Sequence, residues 1–418
     1  MRVLFTTLAA NAHLYNLVPL AWALRAAGHD VRVAAQPDLT DAVAQAGLTA
    51  VPVGPALDLA ELARQARERP KEQTVFGSRY DITETREERL TLDYVRGVFT
   101  TWSSLGLERL AQDAVLDDVV RFARNWRPDL VLWDALTYMG PIAARASGAA
   151  QVRVLFGLDH VARMRARFTE LGGGEGSDPL AEWLSAKLER FGCAFDEDLV
   201  LGRRTVDPLP PWTRFPTAAT YLPVRHVPYN GRSVVPSWLV EPPARRRVCV
   251  TLGLSRRDLW GRDRFSVDHL FEAVADLDVE VVATLTARQV ESASAVPDNV
   301  RLVDFVPLDA LLPTCAAVVH HGGAGTTGNA VAHGVPQLVV PGNMWDKAGL
   351  ADLVAEQGAG LVVDHERLTA AALRGQLVRL LDEPVFAECA EKARSWAQGA
   401  PTPHELVPEL ERVALGPR

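Results

Sequence analysis

The sequence predicts an α/β fold that consists of two similar, doubly wound domains. Each half opens with an apolar strand that runs into a loop and then a helix: Arg2–Thr7 precedes Asn11–Ala27, and Arg247–Gly253 precedes a helix around Val267–Leu277. The apolar runs lack the alternation of a half-exposed strand and are separated by helix-length segments, which is typical of a parallel sheet covered on both faces. The length of 418 residues also suits two domains of ordinary size.

The remaining strands are predicted from short apolar runs. In the first half these cover Val31–Ala35, Thr49–Val53, Asp129–Trp133 and Gln151–Phe156. In the second half they cover Val279–Leu285, Val300–Phe305, Ala316–His320, Gln337–Pro341 and Gly360–Val363. The segment Leu57–Gly106 is richer in charge and weak in strand signal, so we expect helices and loops there that shape the mouth of a substrate site.

A proline-rich stretch marks the predicted connection between the domains. Nine of the 27 prolines fall within Asp207–Pro243, a density that neither a helix interior nor a central strand tolerates. We therefore predict a first domain over residues 1–206, a linker over 207–243 and a second domain over 244–400. Residues 401–418 are predicted to form a separate C-terminal helix.

Composition argues against several classes of function. The 44 basic and 52 acidic residues give a net charge of −8 without a long Lys/Arg run, so nucleic acid is not an expected partner. No stretch approaches the roughly 18 uninterrupted apolar residues that cross a bilayer, so no transmembrane span is expected. The four cysteines are scattered without a CxxC pair, which predicts reduced thiols in a cytoplasmic protein instead of disulfides or a zinc site.

A glycine-rich loop follows the predicted strand Ala316–His320. Residues 320–328 read HHGGAGTTG, and the helix behind them ends before Gly334. Glycines let the backbone approach a ligand closely, and the start of a helix presents free N–H groups and a positive dipole end to an anion. The pattern predicts a site for a phosphate or diphosphate, with His321 as the nearest side-chain donor.

Other interpretations of this loop require different features. A P-loop requires Gly-Lys-Ser/Thr, which is missing. A dinucleotide site stays open, because Gly323, Gly325 and Gly328 satisfy GxGxxG and Asp346 follows the next strand. A purely structural loop also stays open, whereas the two adjacent histidines lack the spacing and the third ligand of a zinc site.

His13 and Asp134 follow two predicted strands, at the edge where open α/β sheets bind ligands. A histidine at this place can act as a general base, and a carboxylate beside it can hold the ring and stabilise the imidazolium as the proton moves. The structural alternatives are a hydrogen-bonded loop histidine and an aspartate that caps the following helix, and both stay open.

Beyond these patterns, the sequence resembles the bacterial family 1 glycosyltransferases, which have the GT-B fold of two Rossmann-like domains that face each other across a cleft. Residues 320–327, the following 334–337 and the pair Trp345-Asp346 resemble the donor-binding signature of that family. Three further stretches resemble the subgroup that attaches dTDP-activated deoxysugars, often aminosugars, to macrolide, anthracycline and related polyketide aglycones: 17–28, 178–184 and 227–231.

The resemblance implies an inverting transfer in the cleft, with the acceptor held by the first domain and the dTDP-sugar by the second. It implies that His13 takes the proton of the acceptor hydroxyl while Asp134 orients the imidazole. Donor contacts are implied for the glycine loop and its neighbours: Ser255, Val306, His321, Gly322, Gly323, Ala324, Gly325, Thr326, Asp346 and Lys347. No metal and no separate cofactor are expected, and the C-terminal helix is expected to cross back to the first domain.

Substrates and partners are less well specified. Lys347 stands where glucose-transferring relatives commonly carry Gln, which fits a donor other than a fully hydroxylated sugar. A nearby lysine repels a cationic aminosugar unless it points away or pairs with Asp346. Four aromatic residues are candidates for the acceptor pocket and equally for the core: Phe99, Trp102, Tyr138 and Phe156. Some subgroup members need an auxiliary protein that resembles a haem monooxygenase, so such a partner is a candidate here, as is a homodimer.

Other functions compete with glycosyl transfer. Enzymes of the same fold can epimerise or hydrolyse a sugar nucleotide, with water in place of an organic acceptor. A non-catalytic sugar-nucleotide-binding partner is disfavoured by the presence of His13 and Asp134, and an oxidoreductase is supported by the GxGxxG count alone. The leading expectation is a dTDP-deoxysugar glycosyltransferase that acts on a hydrophobic polyketide-type aglycone in antibiotic biosynthesis.

Overall fold

The chain divides into two compact units. The computed structural model describes residues 1–68, 79–253, 267–285, 295–342, 345–364 and 368–416. The first unit comprises Met1–Pro208, Arg214–Val224 and Pro401–Arg418, and the second comprises Leu209–Thr213 and Arg225–Ala400. The proline-rich stretch is therefore shared between the units, and the C-terminal residues group with the first.

The first unit contains a parallel sheet. Its strands are β1 Arg2–Thr6, β2 Asp30–Ala35, β3 Thr49–Pro52, β4 Leu130–Asp134, β5 Ala150–Val154, β6 Thr205–Asp207 and β7 Tyr221–Pro223. They are arranged in the order β3-β2-β1-β4-β5-β6-β7. The order reverses between β1 and β4, which is the point where doubly wound sheets bind ligands at the carboxyl ends of the strands.

Helices cover this sheet. They are α1 Asn11–Ala26, α2 Thr40–Gln45, α3 Leu59–Glu68, α4 Leu92–Thr101, α5 Glu108–Leu110, α6 Asp113–Trp126, α7 Met139–Ser147, α8 His160–Glu170, α9 Pro179–Glu189 and α10 Asp198–Leu201. A π-helical turn, Trp102–Leu107, joins α4 to α5. In α6 the buried residues recur three or four positions apart, as a helix with one apolar face requires: Val115, Leu116, Val119, Val120 and Ala123.

The second unit repeats this design. Its strands are β8 Arg246–Thr251, β9 Val279–Thr284, β10 Val300–Val303, β11 Cys315–His320, β12 Gln337–Val339 and β13 Gly360–Val362, in the parallel order β10-β9-β8-β11-β12-β13. Its helices are α11 Val267–Val274, α12 Leu308–Leu311, α13 Ala324–His333, α14 Lys347–Glu356, α15 Ala370–Asp382 and α16 Pro384–Gln398. Here the order reverses between β8 and β11.

Alternate residues of the central strands pack on opposite faces of the second sheet. Val248, Val250 and Val319 belong to one hydrophobic cluster, and Cys249 and Val318 belong to another. Because both faces are buried, these strands are continuous apolar runs in the sequence. The predicted fold class, an α/β protein with two doubly wound domains, is confirmed.

The last two strands of the first sheet, β6 and the edge strand β7, were not predicted from the sequence. β6 and β7 are only three residues long, and β7 lies inside the proline-rich stretch. Pro223 ends β7, where an edge strand tolerates a missing N–H group. The C-terminal helix, α17 Pro403–Leu415, packs on α1, and His29 Nε2 lies 3.0 Å from Glu411 Oε1. Among the described residues, no helix is both long and apolar enough to span a membrane.

Candidate active site

His13 and Asp134 meet at the carboxyl edge of the first sheet. His13 lies in the first turn of α1, which follows β1, and Asp134 is the last residue of the neighbouring strand β4. The distance between His13 Nδ1 and Asp134 Oδ2 is 2.7 Å. The Asp134 side chain is 1% exposed and that of His13 is 14% exposed, so the pair is shielded while the imidazole still reaches solvent. The two residues that the sequence suggested as partners are thus hydrogen-bonded to each other.

The contacts of Asp134 determine which nitrogen of His13 is free. An ionised carboxylate only accepts hydrogen bonds, so beside an ionised Asp134 a neutral His13 ring donates from Nδ1 and keeps its lone pair on Nε2. The second carboxylate oxygen, Oδ1, accepts the N–H of Leu136 at 2.9 Å. This arrangement leaves Nε2 able to take a proton, as a general base must.

Asp134 does not cap the helix that follows it. α7 begins at Met139, and Tyr138 occupies its N-cap position. Instead, the carbonyl oxygen of Asp134 accepts hydrogen bonds from the N–H and the hydroxyl of Thr137, at 2.7 and 3.0 Å. The turn after β4 is therefore closed by backbone and Thr137 contacts, and the carboxylate is left to serve His13 and the turn amide.

One of the four candidate acceptor residues lies against His13. Phe156 follows β5, and its ring centroid is 4.5 Å from that of the imidazole. Phe99 and Tyr138 are at most 1% exposed and Trp102 is 5% exposed, so these three side chains lie in the core of the first unit. The hydroxyl of Tyr138 donates to the carbonyl of Val200 at 3.1 Å, and burial raises the pKa of that phenol. Phe156, which is partly exposed, is the aromatic residue of this set that a substrate could touch.

The glycine loop lies at the equivalent position of the second sheet. It runs from β11 into α13, whose N-cap is Gly323 and has no side-chain cap. The N–H groups of Ala324, Gly325 and Thr326 have no acceptor within their own helix because they form its first turn. Gly325 is exposed, and a Cβ atom added there would have no neighbour within 4 Å. The helix start is therefore open to an anion at Gly325.

The two adjacent histidines have different roles. The N–H of Gly322 donates to His320 Nδ1 at 3.1 Å, and His320 Nε2 lies 3.0 Å from Gln337 Oε1. Both nitrogens are therefore engaged inside the unit, and burial lowers the pKa of His320 to about 4. His320 is a neutral residue that holds the loop, which leaves His321 as the candidate ligand contact.

His321 packs between two glycines. A Cβ atom on Gly253 would lie 2.4 Å from His321 Cε1, and one on Gly323 would lie 2.9 Å from His321 Nε2. Gly253 follows β8 and also has a φ of +73°, a conformation that favours glycine. Both glycines are thus required by the position of the imidazole.

Asp346 and Lys347, which are further predicted donor residues, lie at the start of α14 in the same unit. Asp346 occupies the N-cap position of α14 and is 5% exposed, and the carbonyl oxygen of Lys347 would lie 3.0 Å from a Cβ atom on Gly322. The Val306 side chain is buried in a core cluster, so any ligand contact would have to use its backbone. Ser255 lies outside the described residues. Within the described ranges, no group of three His, Cys, Asp or Glu side chains is arranged to hold a metal ion.

Sequence reasoning missed Asn16, on the same helix as His13, and Arg153, in the strand next to that of Asp134. Asn16 Nδ2 donates to the carbonyl of Leu155 at 2.8 Å, and its spacing of three from His13 on one helix was the available signal. Arg153 is fully buried and forms an ion pair with Asp159. A charged residue between two valines of a predicted strand, Val152 and Val154, was the available signal for that pair.

Comparison with known proteins defines the class. The crystal structure of the glycosyltransferase VinC in complex with dTDP matches with a TM-score of 0.90 and 48% identity, over 99% of this chain and 100% of that one. The spinosyn forosaminyltransferase SpnP matches with a TM-score of 0.84 and 43% identity, over the full length of both. The protein is a glycosyltransferase with the GT-B fold.

Family matches define the subgroup. Residues 22–253 match the N-terminal domain of the erythromycin biosynthesis protein CIII-like family, and residues 268–413 match its C-terminal domain. The aclacinomycin-T 2-deoxy-L-fucose transferase of Streptomyces galilaeus is 49% identical, over 99% of this chain and 96% of its own. The tylactone mycaminosyltransferase of Streptomyces fradiae is 48% identical, over 99% and 92%. The chain belongs to the erythromycin biosynthesis protein CIII-like family, and the predicted resemblance to macrolide and anthracycline deoxysugar transferases is confirmed.

Proposed function

We propose that this glycosyltransferase moves a deoxysugar from dTDP to a hydroxyl group of a hydrophobic polyketide-type aglycone, with inversion at the anomeric carbon. The hydrogen bond between His13 and Asp134 carries the proposal, because it leaves one imidazole nitrogen free to act as a base. Two relatives, the aclacinomycin-T 2-deoxy-L-fucose transferase and the tylactone mycaminosyltransferase, support the substrate class. The dTDP complex of a structural neighbour supports the donor nucleotide.

In the proposed reaction His13 acts as the general base. The acceptor hydroxyl gives its proton to Nε2 as its oxygen attacks the anomeric carbon, and the bond from that carbon to the diphosphate oxygen breaks. Attack from the side opposite the leaving group inverts the configuration. The imidazolium that forms donates to Asp134 through Nδ1, and the buried carboxylate stabilises its positive charge.

The second unit is proposed to hold the donor and stabilise the leaving dTDP. Negative charge grows on the diphosphate as the glycosidic bond breaks, so donors that are already oriented lower the barrier. The first-turn N–H groups of α13, the open approach at Gly325 and the imidazole of His321 supply such donors. Asp346 and Lys347 are proposed to contact the sugar, and backbone near Val306 to contact the thymine. Ser255 is proposed to contact the diphosphate.

Replacement of His13 tests the proposal. H13A should abolish transfer of a deoxysugar from its dTDP donor to polyketide aglycones, while dTDP affinity measured by calorimetry stays within about twofold, since a base acts mainly in the transition state. H404A is the matched control, because His404 is exposed on α17. The proton coupling of the anomeric centre, compared by NMR between donor and product, reports inversion. Unchanged turnover by H13A, or sugar release that needs no aglycone, would contradict the proposal.

A further inference from the structure

The loop between β5 and α8, residues 155–159, packs beside the imidazole of His13. We propose that this loop is a positioning element that fixes the His13 ring, with Phe156 as its contact and Asn16 as its anchor. The inference deepens the proposed function, because it rests on His13 acting as the base. Asp134 contacts Nδ1 of the imidazole, and Phe156 of the loop lies against the ring.

Two side chains of α1 reach this loop side by side. His13 and Asn16 are three residues apart, so they share one face of the helix. The ring of His13 lies 4.5 Å from that of Phe156 at an interplanar angle of 47°, and Asn16 Nδ2 donates to the carbonyl of Leu155 at 2.8 Å. Consecutive loop residues are thus tied to the helix that carries the base.

A buried ion pair closes the two ends of the loop. Arg153, in β5, is fully buried, and both of its terminal nitrogens donate to the carboxylate of Asp159, with a distance of 3.1 Å for Nη1 to Oδ1. Asp159 also caps α8 by accepting the N–H of Ala162 at 3.0 Å, and it accepts the hydroxyl of Tyr221 at 2.9 Å. Arg153 Nε donates to Thr205 Oγ1 at 3.2 Å. The loop is therefore held from strands β5, β6 and β7, which gives the phenylalanine a fixed support.

The loop restricts a tilt of the His13 ring that the hydrogen bond to Asp134 alone would allow. A single bond from Nδ1 lets the ring tilt about the contact with Asp134, and tilting moves Nε2 away from the acceptor hydroxyl. Phe156 occupies space on one side of the ring and blocks that tilt. Misplacing a reacting group by about 1 Å costs roughly 100-fold in rate. Removing the ring should therefore lower kcat more than it changes acceptor binding.

Kinetics separate positioning from acceptor contact. F156A should lower kcat by about 10- to 100-fold while the acceptor KM stays within about twofold. F156Y, which keeps the ring, should restore most of the rate, and N16A should show a smaller loss of the same kind. F122A and N125A, on α6 beside Arg32 and Trp126, are matched controls that should retain the wild-type kcat. A raised KM with unchanged kcat in F156A would overturn the proposal, because Phe156 would then act as an acceptor contact.

Nitrogen NMR tests the same idea without any substrate. In protein labelled with ¹⁵N-histidine, the His13 signals are identified by their loss in H13Q. Wild-type signals should show a proton on Nδ1 and none on Nε2, and in F156A and N16A they should broaden or shift toward a mixture of tautomers. Identical His13 signals in all three proteins would overturn the positioning role. Failure of the proposed function gives a different result from failure of the positioning role. If only the proposed function failed, wild type would transfer no sugar, while the His13 signals would still depend on Phe156.

Discussion

Replacing Asp134 by asparagine should convert His13 from a base into a donor. The turn N–H of Leu136 points at Oδ1 from 2.9 Å, so the amide of D134N must keep its oxygen on that side. Its NH₂ group then faces His13 Nδ1, which lies 2.7 Å from the other carboxylate oxygen. Two donors cannot face each other, so the imidazole must accept at Nδ1 and carry its hydrogen on Nε2. In that tautomer Nε2 has no lone pair for the acceptor proton.

The expected loss in kcat is about 10³- to 10⁴-fold. The estimate follows from the Ser-His-Asp triad, where the same replacement imposes the wrong tautomer and lowers kcat by about 10⁴. It corresponds to about 4–5.5 kcal/mol of lost transition-state stabilisation. The affinity for dTDP should stay unchanged, because the proposed donor residues belong to the second unit.

Steady-state kinetics with a dTDP-deoxysugar and an accepted aglycone measure this loss, and calorimetry measures dTDP binding by the same preparations. D41N serves as the control, since Asp41 is exposed on α2 and lies outside the proposed site. Thermal unfolding of each variant shows whether the fold is retained. A D134N enzyme that turns over within about tenfold of wild type, with its fold intact, would refute the tautomer argument.

Three further outcomes follow from the second unit. G325A should bind dTDP at least about tenfold more weakly, as measured by calorimetry, and an affinity equal to that of wild type would contradict this. Thermal unfolding should show a stability equal to that of wild type or up to about 1 kcal/mol higher, because a methyl group there meets no protein atom and favours the helix. G253A should lose about 1–3 kcal/mol in urea unfolding, since its Cβ would collide with His321 at a φ of +73°, whereas G375A, in α15 with no atom within 4 Å, should not. The folded pKa of His320, about 4, lies below the ordinary value of 6.5, so the unfolded chain binds more protons in that window and stability should fall as the pH drops from about 6.5 to about 4. H320N should reduce this dependence in urea titrations, and an identical pH profile would count against it.

The fold was predictable because both sheets are parallel and covered on both faces. Such strands are mostly apolar and lack regular alternation, so their positions are visible in the sequence. β6 and β7 escaped prediction because β6 has a single valine between Thr205 and Asp207, and β7 ends in Pro223 within the proline-rich stretch. β6 pairs with β5, β7 pairs with β6, and Tyr221 of β7 donates to the buried Asp159. Tertiary contacts of this kind create an edge strand that local sequence does not signal.

The pairing of His13 with Asp134 was predictable from sheet topology, whereas the location of the aromatic side chains in the core or in a pocket was not. Residues after the first strand and at the end of the fourth become neighbours once the strand order places β1 beside β4. An aromatic side chain, by contrast, suits a pocket wall as well as a core, and only the packing decides. Phe99 is fully buried with its ring 5.8 Å from that of Phe168, whereas Phe156 sits at the strand end beside the imidazole.

The spacing of the glycines in the loop after β11 does not determine whether each one makes room for a ligand or for a side chain of the protein. Gly323, Gly325 and Gly328 fit GxGxxG, which kept a dinucleotide site open. Only Gly325 faces open space, because a Cβ atom on Gly323 would meet the ring of His321. One on Gly328 would lie 3.1 Å from three ring atoms of His226, so the last glycine makes room for a side chain of the protein and not for a ligand. Two of the three glycines therefore serve packing. The GxGxxG match, which suggested an oxidoreductase, thus gives no support for a dinucleotide site.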